Sequence, residues 1–473
     1  MRYCHAKAFI WNSQALIEYG KIYVGNTGEP FALTVGGKTL YILTTPEHVA
    51  KLYKSNEDTS WDAMLNELLV GFGVKSSVIH KLWEPMPGET IRKGRPELPA
   101  SKIPNYSLIH STLDLYKRQL LPGPRFEKFC GTLLGHIDDH LKWSTLIGID
   151  TTQSGRPQKV FSHRSLRDLC STVLIGAISK TLFGDQIYEI EPYLSTYLAD
   201  FNQDAWMLVF QYPGPKTKLG AARTKILSAL ENIIRGAGGP EANHAWIVRT
   251  VMEEQDAAGI SEEDAAALLL MIYWAANLNP YRLGFWMLSY ILFDKELHTA
   301  LKTEIGRAYR DRKLDVAFLL TDCPKLDAVY QETLRLTSGA LSARKIIRPL
   351  DIGGKLLEPP STILISFAQL QQSKSAFGVD ASTFDSRRFL KDKNLKNSLS
   401  FKPFGGGANY CPGRFVAKQE MFFFVATIIT KFDISLSDGG QQNFPILDSI
   451  TPSLGINGPQ AGMDIFVDLK LAN

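Results

Sequence analysis

Residues 401–414 read FKPFGGGANYCPGR. A cysteine that binds a metal does so as a thiolate. That anion needs shelter from water and backbone N–H groups aimed at its sulfur. Cys411 has suitable surroundings: Gly405, Gly406 and Gly407 precede it, Pro412 and Gly413 follow it, and the run FVAKQEMFFFVATIITKF begins just beyond. Glycine weakens helices and strands, so three in a row point to a tight turn or to a backbone that comes very close to another body. The positive end of the following helix favours a negative sulfur. A lone cysteine with no second cysteine or histidine at metal spacing suits neither zinc nor an iron–sulfur cluster. It does suit haem, where the porphyrin supplies four ligands. The phosphate-loop pattern GxxxxGK[ST] is absent. On spacing alone, a haem ligand and a plain turn before a helix both remain open.

Two further groups carry chemistry. KLDAVYQETLRL places Glu332 and Arg335 at i,i+3 on a helix, and FDSRRF brings Arg388 some fifty residues later. By themselves these read as a surface salt bridge and a basic turn. WAANLNPYRLGFW sets Asn277 and Asn279 beside Pro280 in the middle of an apolar run. Between Ala265 and Phe293 that run carries one charge, Arg282. A bilayer penalises the polar and charged residues at its centre, so a buried central helix is the better reading than a membrane span. Ser261 and Asp264 form a variant capping box at its start.

The rest of the chain must position these residues. Its 473 residues are 45% hydrophobic and 21% charged, an ordinary balance with ample material for a core. A net charge of +4 gives no reason to expect nucleic acid as a partner. Five cysteines, an odd number with no CxxC pair, argue against a disulfide framework and for a reducing compartment. The first residues hold no apolar stretch of anchor length, which predicts a soluble chain. Glycine turns between β-formers predict a small sheet over residues 20–46, and the β region is expected to draw on about 20–80 and 340–370. Pro85, Pro87, Pro96, Pro99 and Pro104 make residues 82–106 a long irregular connection. Helical periodicity follows in 108–121, 126–143 and 165–184, with two helices and a loop over 189–240. After 340 come short strands, a helix past the cysteine loop and a terminal hairpin. The fold class expected is mainly α with a smaller β part, and one domain over residues 1–473.

The pattern Phe404-x-x-Gly407-x-x-x-Cys411-x-Gly413 resembles the haem-binding signature of the cytochrome P450 monooxygenases. Glu332-Thr333-Leu334-Arg335 is similar to that family's ExxR motif. FDSRRF stands in the place of its PxRF element, with Ser386 at the proline position, and the interrupted apolar segment falls where its long I helix belongs. The resemblance spans essentially the whole chain. It implies the cytochrome P450 fold, with haem b between a long central I helix and the loop and L helix that carry Cys411. Cys411 would be the axial thiolate that donates electron density to iron. Phe404, Gly407 and Gly413 would shape its loop. Glu332, Arg335 and Arg388 would form a buried ion network beneath the haem. The family often places an arginine or histidine two residues before the cysteine; Asn409 stands there, so Arg344, with Lys117 or Arg118, is expected to meet the propionates. His110 is a weaker candidate.

The I helix of the family carries AGx[DE]T. Aligned here, Ala276, Leu278 and Asn279 replace the glycine, acid and threonine, and Asn277 adds a second amide. An amide orders oxygen or water but does not relay a proton as a carboxylic acid does. Asn277 and Asn279 are thus the catalytic candidates, with a bland alternative in which Asn279 and Pro280 only kink the helix. The pattern is similar to a subgroup with sterol 7α-hydroxylase, prostacyclin synthase and fungal biosynthetic members. This implies oxidation of a bulky apolar substrate (a terpenoid, sterol, polyketide or alkaloid intermediate) in fungal secondary metabolism. It would use O2 and electrons from NADPH-cytochrome P450 reductase, docked near Lys402, Arg414 and Lys418. A reductase-independent rearrangement of a peroxide is the alternative. The natural form is expected as a monomer on the cytosolic face of the endoplasmic reticulum membrane, with an N-terminal anchor ahead of Met1. The substrate pocket is expected from residues 80–110, 196–220, the I helix, 337–343 and a hairpin near 453–462.

Overall fold

The computed structural model of the chain describes residues 4–55, 57–89, 91, 99–146, 162–210, 217–236, 243–310, 313–407 and 410–472. These form two compact units. The first comprises Met1–Met64, Asp138–Val173 and Leu278–Asn473; the second comprises Leu65–Ile137 and Leu174–Asn277.

Among the described residues, the first unit holds all the sheets. Its five-stranded sheet runs Phe31–Val35, Lys38–Leu43, Thr362–Ser366, Leu341–Ile346 and Thr59–Ser60. Thr362–Ser366 is buried on both faces, as a central strand of β-branched residues should be. It pairs parallel with Lys38–Leu43 and antiparallel with Leu341–Ile346, which sets Ile363 opposite Arg344. Leu43, Val49, Leu52, Ile352, Ile363, Ile365 and Leu370 make the core beside this sheet, and Tyr53 packs on it.

The small sheet region differs from its expected bounds. Residues 4–23 form a helix kinked at Asn12, and of the described residues in the 20–80 stretch only 31–35, 38–43 and 59–60 are strand. The remainder folds as the helices Pro46–Leu52, Asp62–Phe72 and Ser76–Trp83. In Ser76–Trp83 the buried residues Ile79 and Leu82 lie three apart, so helical rather than strand periodicity governs. The terminal strand Phe466–Leu471 pairs with Phe432–Leu436 and Ser162–Ser165. The stretch near 453–462 is not a hairpin but a loop touching its neighbours through isolated bridges.

The helix after the cysteine loop, Arg414–Lys431, is buried on every side from Met421 to Ile429 and packs on Pro280–Leu292, Lys295–Gly306 and Val316–Asp322. In the second unit, Leu194–Asp204, Lys218–Ile234 and Glu262–Asn277 pack together, and Leu108–Leu120 packs on Trp246–Ala257 and Ser76–Trp83. The Glu262–Asn277 helix starts at the expected cap: Ser261 Oγ accepts from Asp264 N–H at 3.3 Å and donates to its carboxylate at 2.6 Å. The apolar segment is two helices, not one kinked rod. The first ends at Asn277, and the second begins with Pro280 at its first position, where a missing N–H costs nothing. Among the described residues, no helix is long and apolar enough to cross a membrane.

Candidate active site

Local geometry explains the glycine run. Gly405 and Gly407 have φ of +76° and +66°, a region closed to most side chains. A Cβ on Gly406 would lie 2.6 Å from the Tyr53 ring, and one on Gly407 would lie 3.0 Å from it. The body these two glycines approach is therefore Tyr53. The loop closes where Cys411 N–H donates to Phe404 O at 3.2 Å. Arg414 then donates back to Cys411 O at 2.8 Å, and its guanidinium lies over the rings of Tyr410 and Phe415.

The Cys411 sulfur sits at the N-terminus of the Arg414–Lys431 helix. Burial pushes its pKa up, while the N–H groups of Gly413 and Arg414 and the Arg414 charge pull the other way. A sheltered sulfur with two amides aimed at it is the donor environment a thiolate ligand needs. Asn409, the missing anchor in the sequence reading, lies outside the described residues.

Arg344 projects from the Leu341–Ile346 strand. It donates to Ala343 O at 2.8 Å and makes no ion pair among the described residues. Burial lowers its pKa, with Tyr53 acting against that. The Tyr53 hydroxyl is buried without a hydrogen-bond partner, and burial pushes its pKa up to about 12. A half-buried cation and an orphaned O–H beside the glycine loop fit a carboxylate-bearing cofactor, since each lacks the anion it would bind. Tyr53 was not legible in the sequence: AKLYKSN shows only a helix end, and what marks the residue is its contact with glycines 350 positions away. Lys117 and Arg118 lie on the Leu108–Leu120 helix of the second unit. Lys117 is exposed and 3.9 Å from Asp114; Arg118 lies 5.8 Å from the Trp246 ring. His110 caps its own helix through Ser107.

Glu332, Arg335 and Arg388 meet. Arg335 donates to both Glu332 oxygens at 2.8 and 2.7 Å, and Arg388 Nε donates to Glu332 Oε1 at 3.1 Å. All three are buried. Arg335 also donates to the Gln371 carbonyl at 2.8 Å, and Gln371 Oε1 accepts from Lys402 N–H at 3.3 Å. The network thereby reaches the first residues of the cysteine loop. Lys402 donates to Ser398 O, and Lys418 pairs with Asp327 at 2.9 Å together with Lys396.

Both amides make hydrogen bonds within the fold. Asn277 Nδ2 donates to Tyr273 O of its own helix at 2.9 Å. Asn279 Oδ1 accepts from Ile456 N–H at 2.7 Å. One lone pair of the Asn279 oxygen is thus engaged within the fold. Of the expected pocket stretches, those in the first unit converge: Gly339 N–H donates to Gly455 O at 3.0 Å and Asn457 N–H to Thr337 O at 2.8 Å. In the second unit Leu82, Leu108, Ile109, Thr112, Leu268 and Met271 line a small apolar cavity.

The chain is similar to known proteins. The family model described as Cytochrome P450 matches residues 240–456, which span the helix break, Glu332, Arg335, Arg388 and Cys411. The chain is 24% identical over 447 residues to cytochrome P450 monooxygenase poxD of Penicillium oxalicum, covering 91% of this chain and 85% of that one. It is 28% identical to cholesterol 7-alpha-monooxygenase of Cricetulus griseus over 42% of this chain and 44% of that one. A solved structure titled retinoic acid bound cyanobacterial CYP120A1 superposes with a TM-score of 0.68 at 18% identity, covering 96% of this chain and 94% of that one. A mainly helical fold with a smaller sheet part, a thiolate-ready cysteine loop and these relatives lead to one assignment: the chain belongs to the cytochrome P450 family of haem-dependent oxidoreductases.

Proposed function

We propose that the chain is a monooxygenase that hydroxylates a bulky apolar molecule of the terpenoid, sterol, polyketide or alkaloid kind in fungal secondary metabolism. The observation that carries this reading is the Cys411 sulfur, half-buried and facing the Gly413 and Arg414 amides in a loop tied to the Glu332 network. In the reaction, one atom of O2 enters a C–H bond and the other leaves as water, with two electrons drawn from NADPH through a separate reductase and two protons from solvent. Haem b bound to Cys411 supplies iron-centred activation of dioxygen. The chain's own residues do the rest. The two amides favour the anionic sulfur against the effect of burial, Arg344 and Tyr53 offer donors to the propionates, and Glu332, Arg335 and Arg388 keep the loop in place. Phe404, Gly407 and Gly413 give the loop its shape. The relatives' names support the substrate class, one being a cholesterol hydroxylase and another a Penicillium monooxygenase.

A second reading, rearrangement of a peroxide without reductase, is favoured by the helix break. Asn277, Leu278, Asn279 and Pro280 include no acid, and both amides have hydrogen bonds inside the fold. In either case the chain acts as a monomer at the cytosolic face of the endoplasmic reticulum, with no role for nucleic acid. The test begins with Cys411→Ala, expected to lose haem or its thiolate ferrous carbon-monoxide band; an unchanged band and haem content refute the ligand assignment. Sterol and terpenoid probes are then incubated with O2 and with or without NADPH and reductase. Hydroxylation that requires both supports the first reading; turnover of a hydroperoxide without them overturns it.

A further inference from the structure

Asn279 stands at the N-cap of the Pro280–Leu292 helix, and an asparagine there ordinarily accepts from its own helix's first N–H groups. It makes no such bond, and its φ and ψ are −107° and −37°. Its oxygen instead crosses to Ile456 N–H, a residue far away in sequence. The next turns of the same helix add to the hold: Arg282 donates to Ile456 O at 3.1 Å and Trp286 Nε1 to Asn457 O at 2.7 Å. On the other side, Asn457 N–H and Gly455 O bond to Thr337 and Gly339. The loop around Ile456 belongs to no strand, so these bonds fix its course. Gly455 shows how closely the parts fit: a Cβ there would lie 1.9 Å from Asn279 Oδ1.

We propose that Asn279 is a positioning residue. It latches the 453–458 loop to the start of the Pro280–Leu292 helix, and the latch sets how bulky a molecule the substrate pocket admits. The second part rests on the reading of the chain as a haem enzyme whose pocket is walled partly by this loop. The latch itself does not. A short acceptor is required, because a longer side chain would overrun Gly455 and one without oxygen leaves the Ile456 amide unpaired.

The experiment compares haem-loaded wild type with Asn279→Leu, which keeps the size and loses the acceptor, and Asn279→Asp, which keeps the acceptor. Hydrogen exchange is followed in peptides covering 453–458. Loss of one buried bond raises exchange there by about tenfold in the Leu variant, with protection recovered in the Asp variant. Gly455→Ala is expected to loosen the same peptide, and adding Asn279→Ala to it to bring no further loss, because both remove one contact. That pair keeps the test open should the Leu variant fold poorly. Binding of imidazole and of clotrimazole is then read from the haem Soret band. The Leu variant should shift the clotrimazole Kd by about tenfold, leave that of imidazole unchanged and be rescued by Asp. Unchanged exchange in the Leu variant overturns the latch. Raised exchange with both azoles bound as in wild type overturns its role in the pocket. A wild type that takes up no haem would refute the haem reading and leave the exchange result standing by itself.

Discussion

Arg335→Ala tests the part of the site that bears the largest energy. The guanidinium has no solvent exposure and stands 5.0 Å over the Phe377 ring. It meets both oxygens of Glu332 and donates to the carbonyls of Gln371, Ala381 and Thr383. Breaking a buried ion pair by removing one member costs about 3–5 kcal/mol. The Thr383 carbonyl retains Arg388 at 3.3 Å, and Glu332 retains Arg388 and the Asp385 N–H at 3.1 Å. The carbonyls of Gln371 and Ala381 lose their donor, at about 1–3 kcal/mol for each buried group left unpaired. These costs do not add in full, since the loop relaxes, but a loss of roughly 5 kcal/mol is the scale. That equals the whole stability of many domains. Because Gln371 also holds Lys402 at the head of the cysteine loop, the loss should appear as haem-poor protein. The assay is urea denaturation with the haem-to-protein ratio. Arg335→Lys restores the charge without the planar fork and should fall between wild type and Ala. An Ala variant within about 1 kcal/mol of wild type and fully loaded with haem would refute the reasoning.

Two pH-dependent predictions follow from buried carboxylates near the same loop. Glu420, fully buried with Oε1 unpartnered, has its pKa pushed by burial up to about 8 from an ordinary 4.5. The folded chain therefore holds a proton that the unfolded chain has released, and stability falls as pH rises through that window. Glu420→Gln should flatten this fall and gain on the order of 4 kcal/mol above pH 8; denaturation at pH 5 and pH 8.5 with the same slope in both proteins would count against it. Asp327 behaves oppositely: burial acts to raise its pKa, but Lys396 and Lys418 outweigh it and the net shift is downward. Its contribution is present at neutral pH and lost as acid protonates it. Asp327→Asn should cost about 1 kcal/mol at pH 7 and lose the acid-side decline below pH 4, read from melts across that range.

Much of the site was legible because its signals are local. Cys411, its glycines and the helix after it lie within one stretch, and the physics of a sheltered thiolate acts over that length. Glu332 and Arg335 share a helix turn, so their pairing follows from spacing; that Arg388 joins them followed from the family resemblance. The small sheet was placed by its glycine turns; the wider bounds of 20–80 took in the helices at 46–83, a stretch in which, among the described residues, Thr59–Ser60 pairs with the sheet. Lys117 and Arg118 were expected at the propionates from the family resemblance and their place on the helix after the proline-rich loop; Lys117 is exposed beside Asp114, and Arg118 lies near the Trp246 ring.

What stayed hidden has a common cause. A glycine announces that something comes close, but not what. Gly406 was read as room for a flat cofactor, and the structure puts the Tyr53 ring against it. Gly455 drew no comment, and Asn279 occupies its missing side chain's place. Each partner is separated from its glycine by a long stretch of chain, brought near by a fold that sequence periodicity only sketches. The asparagine was assigned to chemistry because a threonine is usual at its position. Its oxygen accepts from a backbone amide in this fold, which gives the residue a structural task that its place in the sequence did not announce. If the Asp variant restores protection at Ile456 and the Leu variant does not, the fastening role stands, and whatever this amide offers a reactant it offers through the lone pair and N–H groups that the latch does not use.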